Sequence, residues 1–78
     1  MVYPVGARVV IIQGWFASEA AQAVAALNNI SFQPIGTVVF ATRWEHRVTL
    51  DTPLFDSPLV TCLQMEDLQV ITPKHAEV

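Results

Sequence analysis

At 78 residues the chain has room for one domain, of a size that buries only about 60% of the surface its unfolded form exposes. Charged residues make up 14% and hydrophobic residues 53% of it, with a formal net charge of −3. That balance argues against a general nucleic-acid binder, whose affinity comes from neutralising phosphates. Cys62 is the sole cysteine, which excludes an internal disulfide and a Cys-rich zinc site and suits a reducing compartment. No apolar run approaches the ~20 residues that cross a bilayer, and the N-terminus lacks the basic and apolar regions of a signal peptide; the expected location is cytoplasmic. From Val9 to Thr42 the only formal charge is Glu19. Apolar surface is therefore left over, and the expected partner is a second copy of the chain or another protein.

Pro4 and Gly6 mark a lead-in, after which Ala7 to Gln13 reads as a β-branched strand stopped by Gly14. Val9 and Ile11 fall on one face and Val10 and Ile12 on the other, so the strand predicts two covering layers, the second being the following segment or another subunit. Trp15 to Ile35 is a long connection. Within it Ser18 to Asn29 predicts a helix of two to three turns, with Ser18 as N-cap, Glu19 at the favourable end of the dipole and Asn28 or Asn29 as the stop. Its expected apolar stripe is Ala20, Ala23, Val24 and Leu27. An extended arm is the alternative for this segment.

Gly36 to Thr42 and Glu45 to Asp51 predict two further strands, joined at a tip of Arg43 and Trp44 that has no Asn-Gly or Asp-Gly to set the turn type. His46, Val48 and Leu50 share the expected inner face of the third strand. Thr52 to Pro58 reads as a loop. Leu59 to Gln64 is a fourth strand, Met65 to Asp67 a tight turn, and Leu68 to Ile71 a last strand. A single domain over 1–73 and a frayed tail over 74–78 complete the reading.

Five short strands, a long first connection, a hairpin and a closing turn before Leu68 to Ile71 give a mainly β chain, ordered as in a small five-stranded SH3-like barrel with one short helix after the first strand. The stretches GARVVII (Gly6 to Ile12), GTVV (Gly36 to Val39), HRVTLD (His46 to Asp51) and EDLQVI (Glu66 to Ile71) resemble KOW-type and translation-protein SH3-like barrels. The layout is also similar to the SH3-like accessory subunit of photosystem I and to type II dihydrofolate reductases. The last resemblance implies a tetramer with folate and nicotinamide in a central pore, Gln69 matching the glutamine of the family's V-Q-I-Y run and Ile71 standing in place of its tyrosine. The KOW resemblance implies nucleic-acid contact through Arg43, Trp44 and Arg47. Small accessory proteins of this build occur in phages, mobile elements and multi-subunit complexes.

The residues themselves favour a non-catalytic interaction module that self-associates or docks on another protein. Its candidate surface is Trp15, Phe16, Val24 and Leu27 from the long connection, with Arg43, Trp44 and Arg47 from the hairpin, because Trp and Arg dominate interface energetics. For Trp44 the alternative is folding back on its own sheet; for Trp15 and Phe16 it is capping the barrel end. His46 and His75 are read as structural, since neither has ligand spacing to carboxylates or to Cys62. Cys62 is read as a small buried hydrophobe. No catalytic, metal or cofactor-binding residue is assigned, and no cofactor is expected.

Overall fold

A computed structural model describes residues 2–71; the expected domain end at 73, the tail 74–78 and His75 lie outside the described residues. Five antiparallel strands form one open sheet in the order β4-β3-β2-β1-β5. They are β1 (Arg8–Ile11), β2 (Ile35–Ala41), β3 (His46–Leu50), β4 (Leu59–Leu63) and β5 (Leu68–Val70), with helix α1 (Glu19–Leu27) between β1 and β2. Short 3-10 turns at Trp15–Ala17 and Met65–Asp67 precede α1 and β5. The mainly β, SH3-like order expected from the sequence is the one observed.

The period-2 alternation of the strands sorts their side chains. Val9, Ile11, Val38, Val48, Leu50, Val60, Leu63 and Leu68 form the buried core. The opposite face carries a row running Leu59, Thr49, Thr37, Arg8 across four strands. On the outer side of β1 Val10 is half-buried, but Ile12, just past the end of the strand, is 46% exposed, so the second layer expected over the Ala7 to Gln13 segment is incomplete. Gly36, paired with both Val9 and Leu50, is buried on the core face. A Cβ there would meet the Thr49 carbonyl oxygen at 2.2 Å and Val48 Cγ1 at 2.8 Å.

Helix α1 corrects the sequence reading in its phase. Ala21 and Ala25, one turn apart, are the buried pair and join Phe32 and Leu54 in the core. Of the expected stripe only Val24 is half-buried, while Ala20, Ala23 and Leu27 face outward. Alanine recurs on every side of the helix and Glu19 and Gln22 are its polar residues, so the apolar periodicity does not single out the side that turns in. Methyl-sized side chains at 21 and 25 let the helix approach the barrel closely. Its stop is Asn29, in the left-handed region at φ 56°. The Ile30 N–H donates to the Ala25 carbonyl at 2.9 Å and the Asn29 N–H to the Ala26 carbonyl at 3.1 Å, the paired bonds of a Schellman ending. Ser18 stands at the N-cap position, but its hydroxyl donates back to the Trp15 carbonyl instead of accepting from the helix.

The connections β1–β2 and β3–β4 meet at one end of the β2–β3 ladder, where α1, Phe32 and Leu54 close the core. At the other end lie the β2–β3 tip and the N-terminal arm, whose Tyr3 packs against the core. Replacing Gly36 by Ala should cost about 1–3 kcal/mol, the range for overpacking a tight site, and lower Tm by about 4–8 °C per kcal/mol. A thermal melt of Gly36→Ala superimposable on that of the parent chain would disprove the close approach.

Candidate functional site

The seven candidate residues do not converge on one place. Trp15 and Phe16 stack edge-on, with ring centroids 5.1 Å apart. Phe55, from the β3–β4 connection, lies 5.6 Å from Trp15 and 6.5 Å from Phe16. Phe16 packs against the core, whereas Trp15 is 41% and Phe55 54% exposed. Phe16 thus caps the barrel end, and Trp15 extends from it as an aromatic step. The proline-rich composition of residues 52–58 concealed Phe55; a large aromatic inside a turn-rich loop was the available signal.

Beside this cluster, α1 turns Ala20, Ala23, Ala26 and Leu27 outward, and Leu27 is 84% exposed. Glu19 and Gln22 are the polar residues of the helix, and the Gln22 amide donates to the Phe32 carbonyl.

The hairpin tip lies at the opposite end of the ladder. In place of an Asn-Gly turn, the Thr42 hydroxyl accepts the amides of Trp44 and Glu45, each at 3.2 Å, and the Thr42 N–H donates to the Glu45 carbonyl at 2.9 Å. This holds Trp44 away from the sheet at 70% exposure, with the Arg43 guanidinium 4.5 Å from its ring centroid. The two residues border a cleft of about 380 Å³ that Glu45, His46, Gln64, Met65 and Glu66 complete. A second hollow, of about 360 Å³, lies by the bidentate Arg8–Asp51 ion pair on the outer face.

Arg47 does not join this tip. Its guanidinium lies 4.2 Å from the Phe40 ring centroid and pairs with Glu45 at 2.9 Å. Two bulges flank it. Val39 is the extra residue between Val38↔Val48 and Phe40↔Arg47, and Thr61 with Cys62 spans the step between Val48↔Val60 and His46↔Leu63. Cys62, at φ 61°, turns outward. This corrects the expectation of a buried thiol: the bulge breaks the alternation that placed it inside. The freed Cys62 N–H donates to Glu45 Oε2 at 2.9 Å. Glu45 therefore serves two partners, and its carboxyl is held below the usual range first by the hydrogen bond from Arg47 and then by the Cys62 amide. Asp51 is likewise lowered, and Arg8 raised, by their mutual hydrogen bonds.

His46 is buried, as its phase with Val48 and Leu50 implied. The Tyr3 N–H donates to Nε2 at 3.0 Å, and Nδ1 lies 3.3 Å from the Leu63 carbonyl oxygen. Gln69 sits on the edge strand β5, paired with Val10 and exposed. Among the described residues no group of three or more His, Cys, Asp or Glu side chains is arranged to hold a metal ion. No helix among them is long and apolar enough to cross a membrane.

Compared with known proteins, the chain matches no family model, no curated protein and no solved structure.

Because the Glu45 carboxyl is lowered, its contribution to the bulge is complete above the ordinary glutamate range and fades as pH falls through the lowered value. In a carboxyl NMR titration its midpoint should lie below that of a free glutamate, and Arg47→Gln should move it up. A midpoint that Arg47→Gln leaves in place would show that the ion pair does not hold the carboxylate.

Proposed function

We propose that the chain is a non-catalytic interaction module that associates with a second copy of itself through the outward face of α1 and the aromatic step of Trp15 and Phe55. The carrying observation is that α1 turns Ala20, Ala23, Ala26 and Leu27 away from its own core, with Glu19 the one charge among them and Leu27 84% exposed at its end. These four residues are all exposed, with Glu19 and Gln22 the polar residues among them, and an exposed apolar surface of this kind is ordinarily covered by a partner.

Two further features support a face rather than a strand edge as the contact. On the β4 edge the Leu59 N–H meets the Ser57 hydroxyl and the Cys62 N–H meets Glu45, so this edge offers few free donors to another strand. The opposite edge, β5, is only three residues long. The polar side chains are also largely committed to the fold. Both ring nitrogens of His46, the carboxylates of Glu45 and Asp51, and Asp67, which accepts the Gln64 amide at 2.8 Å, all serve backbone or arginine partners.

A second reading rests on the hairpin tip. Trp44, 70% exposed and stacked by Arg43 beside a cleft of about 380 Å³, fits an anchor for a segment of another protein.

Light scattering coupled to size exclusion tests the first reading. The parent chain should run as a dimer at high concentration, and Leu27→Glu should weaken it by about 2 kcal/mol, roughly thirtyfold in Kd, with an unchanged circular dichroism spectrum. A parent chain that stays monomeric, or a dimer indifferent to Leu27→Glu, would refute this arrangement. Loss of dimer on Trp44→Ala alone would move the contact to the hairpin tip.

A further inference from the structure

We infer that the cleft between the hairpin tip and the Met65–Asp67 turn binds a free α-amino acid with a large apolar side chain, its carboxylate on Arg43, its ammonium on Glu66 and its side chain on Trp44 and Met65. The site stands apart from the α1 surface and does not depend on self-association. It starts from two opposite charges that share one cleft without meeting. Arg43 and Glu66 both line it, and both are exposed. Among the described residues Arg8 pairs with Asp51 and Arg47 with Glu45, whereas Arg43 and Glu66 form no ion pair with each other or with any other group.

The rest of the lining leaves a ligand's charges to these two. His46, buried beneath the cleft, has both ring nitrogens spent: the Tyr3 amide can only donate, to Nε2, and the Leu63 carbonyl can only accept, from Nδ1. Glu45 is engaged with Arg47 and the Cys62 amide. The Gln64 side chain accepts the Asp67 amide, and the Asp67 carboxylate accepts the Gln64 amide at 2.8 Å, a capping box that braces the turn carrying Glu66. Across the cleft, the Thr42 hydroxyl holds the amides of Trp44 and Glu45. The Arg43 guanidinium is steadied by the indole, 4.5 Å from its ring centroid. Groups held in this way lose little side-chain entropy when a ligand arrives.

Size and charge name the ligand class. The cleft volume of about 380 Å³ lies near the lower end of the range of about 300–1,000 Å³ for small-ligand sites. One cation set against one anion is unsuited to a phosphate ester, which Glu66 repels, and matches a zwitterion, which presents one charge of each sign. A residue inside a peptide carries neither of those backbone charges. What remains of the lining is the 70% exposed indole of Trp44 and the half-buried thioether of Met65. Both take an apolar side chain, an aromatic ring best, because π faces and sulfur each attract one.

The test is an NMR titration of the ¹⁵N-labelled chain with L-phenylalanine. The Trp44 indole N–H and the Met65 and Glu66 amides should shift saturably with a Kd of about 1 mM, while the Trp15 indole, at the other end of the ladder, stays in place. Glycine keeps both charges and loses the side chain; phenethylamine and hydrocinnamate each lose one charge. All three should bind about three- to tenfold more weakly than phenylalanine. Arg43→Gln should weaken phenylalanine by a similar factor and leave phenethylamine unaffected, and Glu66→Gln should weaken phenylalanine and spare hydrocinnamate. The absence of a saturable shift, equal movement of the two indoles, or any of the three analogues bound as tightly as phenylalanine would overturn the site. N-acetylphenylalanine amide bound as tightly as phenylalanine would overturn it as well, because the cleft would then read an apolar side chain within a peptide, as in the second reading of the hairpin tip.

Discussion

The structure depends on one buried polar contact, the imidazole of His46 bridging the Tyr3 amide and the Leu63 carbonyl. A small β domain with an open sheet has two ends to close and few residues with which to close them. One end is shut by ordinary apolar means, with Ala21 and Ala25 of α1 against Phe32 and Leu54. The other is shut by Tyr3 over His46, where a polar ring replaces an aliphatic plug and both its nitrogens must be matched. That match joins three separate parts of the chain, the arm, β3 and β4, at a single side chain.

The curl of the sheet follows from what surrounds this ring. Bulges on both neighbours of β3 fall opposite Arg47, one residue from His46, and bulges increase local twist and bend their strands. Glu45, on the other side of His46, accepts the amide that the β4 bulge frees and holds Arg47 over Phe40. Three consecutive residues, Glu45, His46 and Arg47, therefore bend the sheet, plug its end and satisfy the donors that the bend releases. The β4 bulge turns Cys62 outward and engages its N–H with Glu45. Exposed apolar side chains lie at both ends of the ladder, Leu27, Trp15 and Phe55 at one and Trp44, Val39 and Phe40 toward the other.

Much of this was legible in the sequence, and the failures have identifiable physics. Strand bounds were recoverable because β-branched runs such as Val9 to Ile12 and Thr37 to Val39 end at Gly14 and at the Thr42 to Glu45 turn. His46 was placed inside by its phase with Val48 and Leu50. The face of α1 was not recoverable, since a helix with alanine on every side has no apolar stripe to read; only packing selects Ala21 and Ala25. Cys62 was misplaced because a bulge is a property of register between strands and leaves no mark on one strand alone. The candidate surface residues are each exposed or half-buried. Their division between two ends of the ladder, and the pairing of Arg47 with Phe40 and Glu45, arise from topology that composition does not carry. Tyr3 was passed over because its role is played by its backbone amide.

The bridging role of His46 is tested most directly by the imidazole ¹⁵N chemical shifts of the chain at neutral pH. The geometry predicts a proton-bearing Nδ1 and a lone-pair-bearing Nε2, with a coupling detectable between Nε2 and the Tyr3 amide proton. A ring protonated at Nε2, or shifts averaged between the two neutral forms, would contradict it.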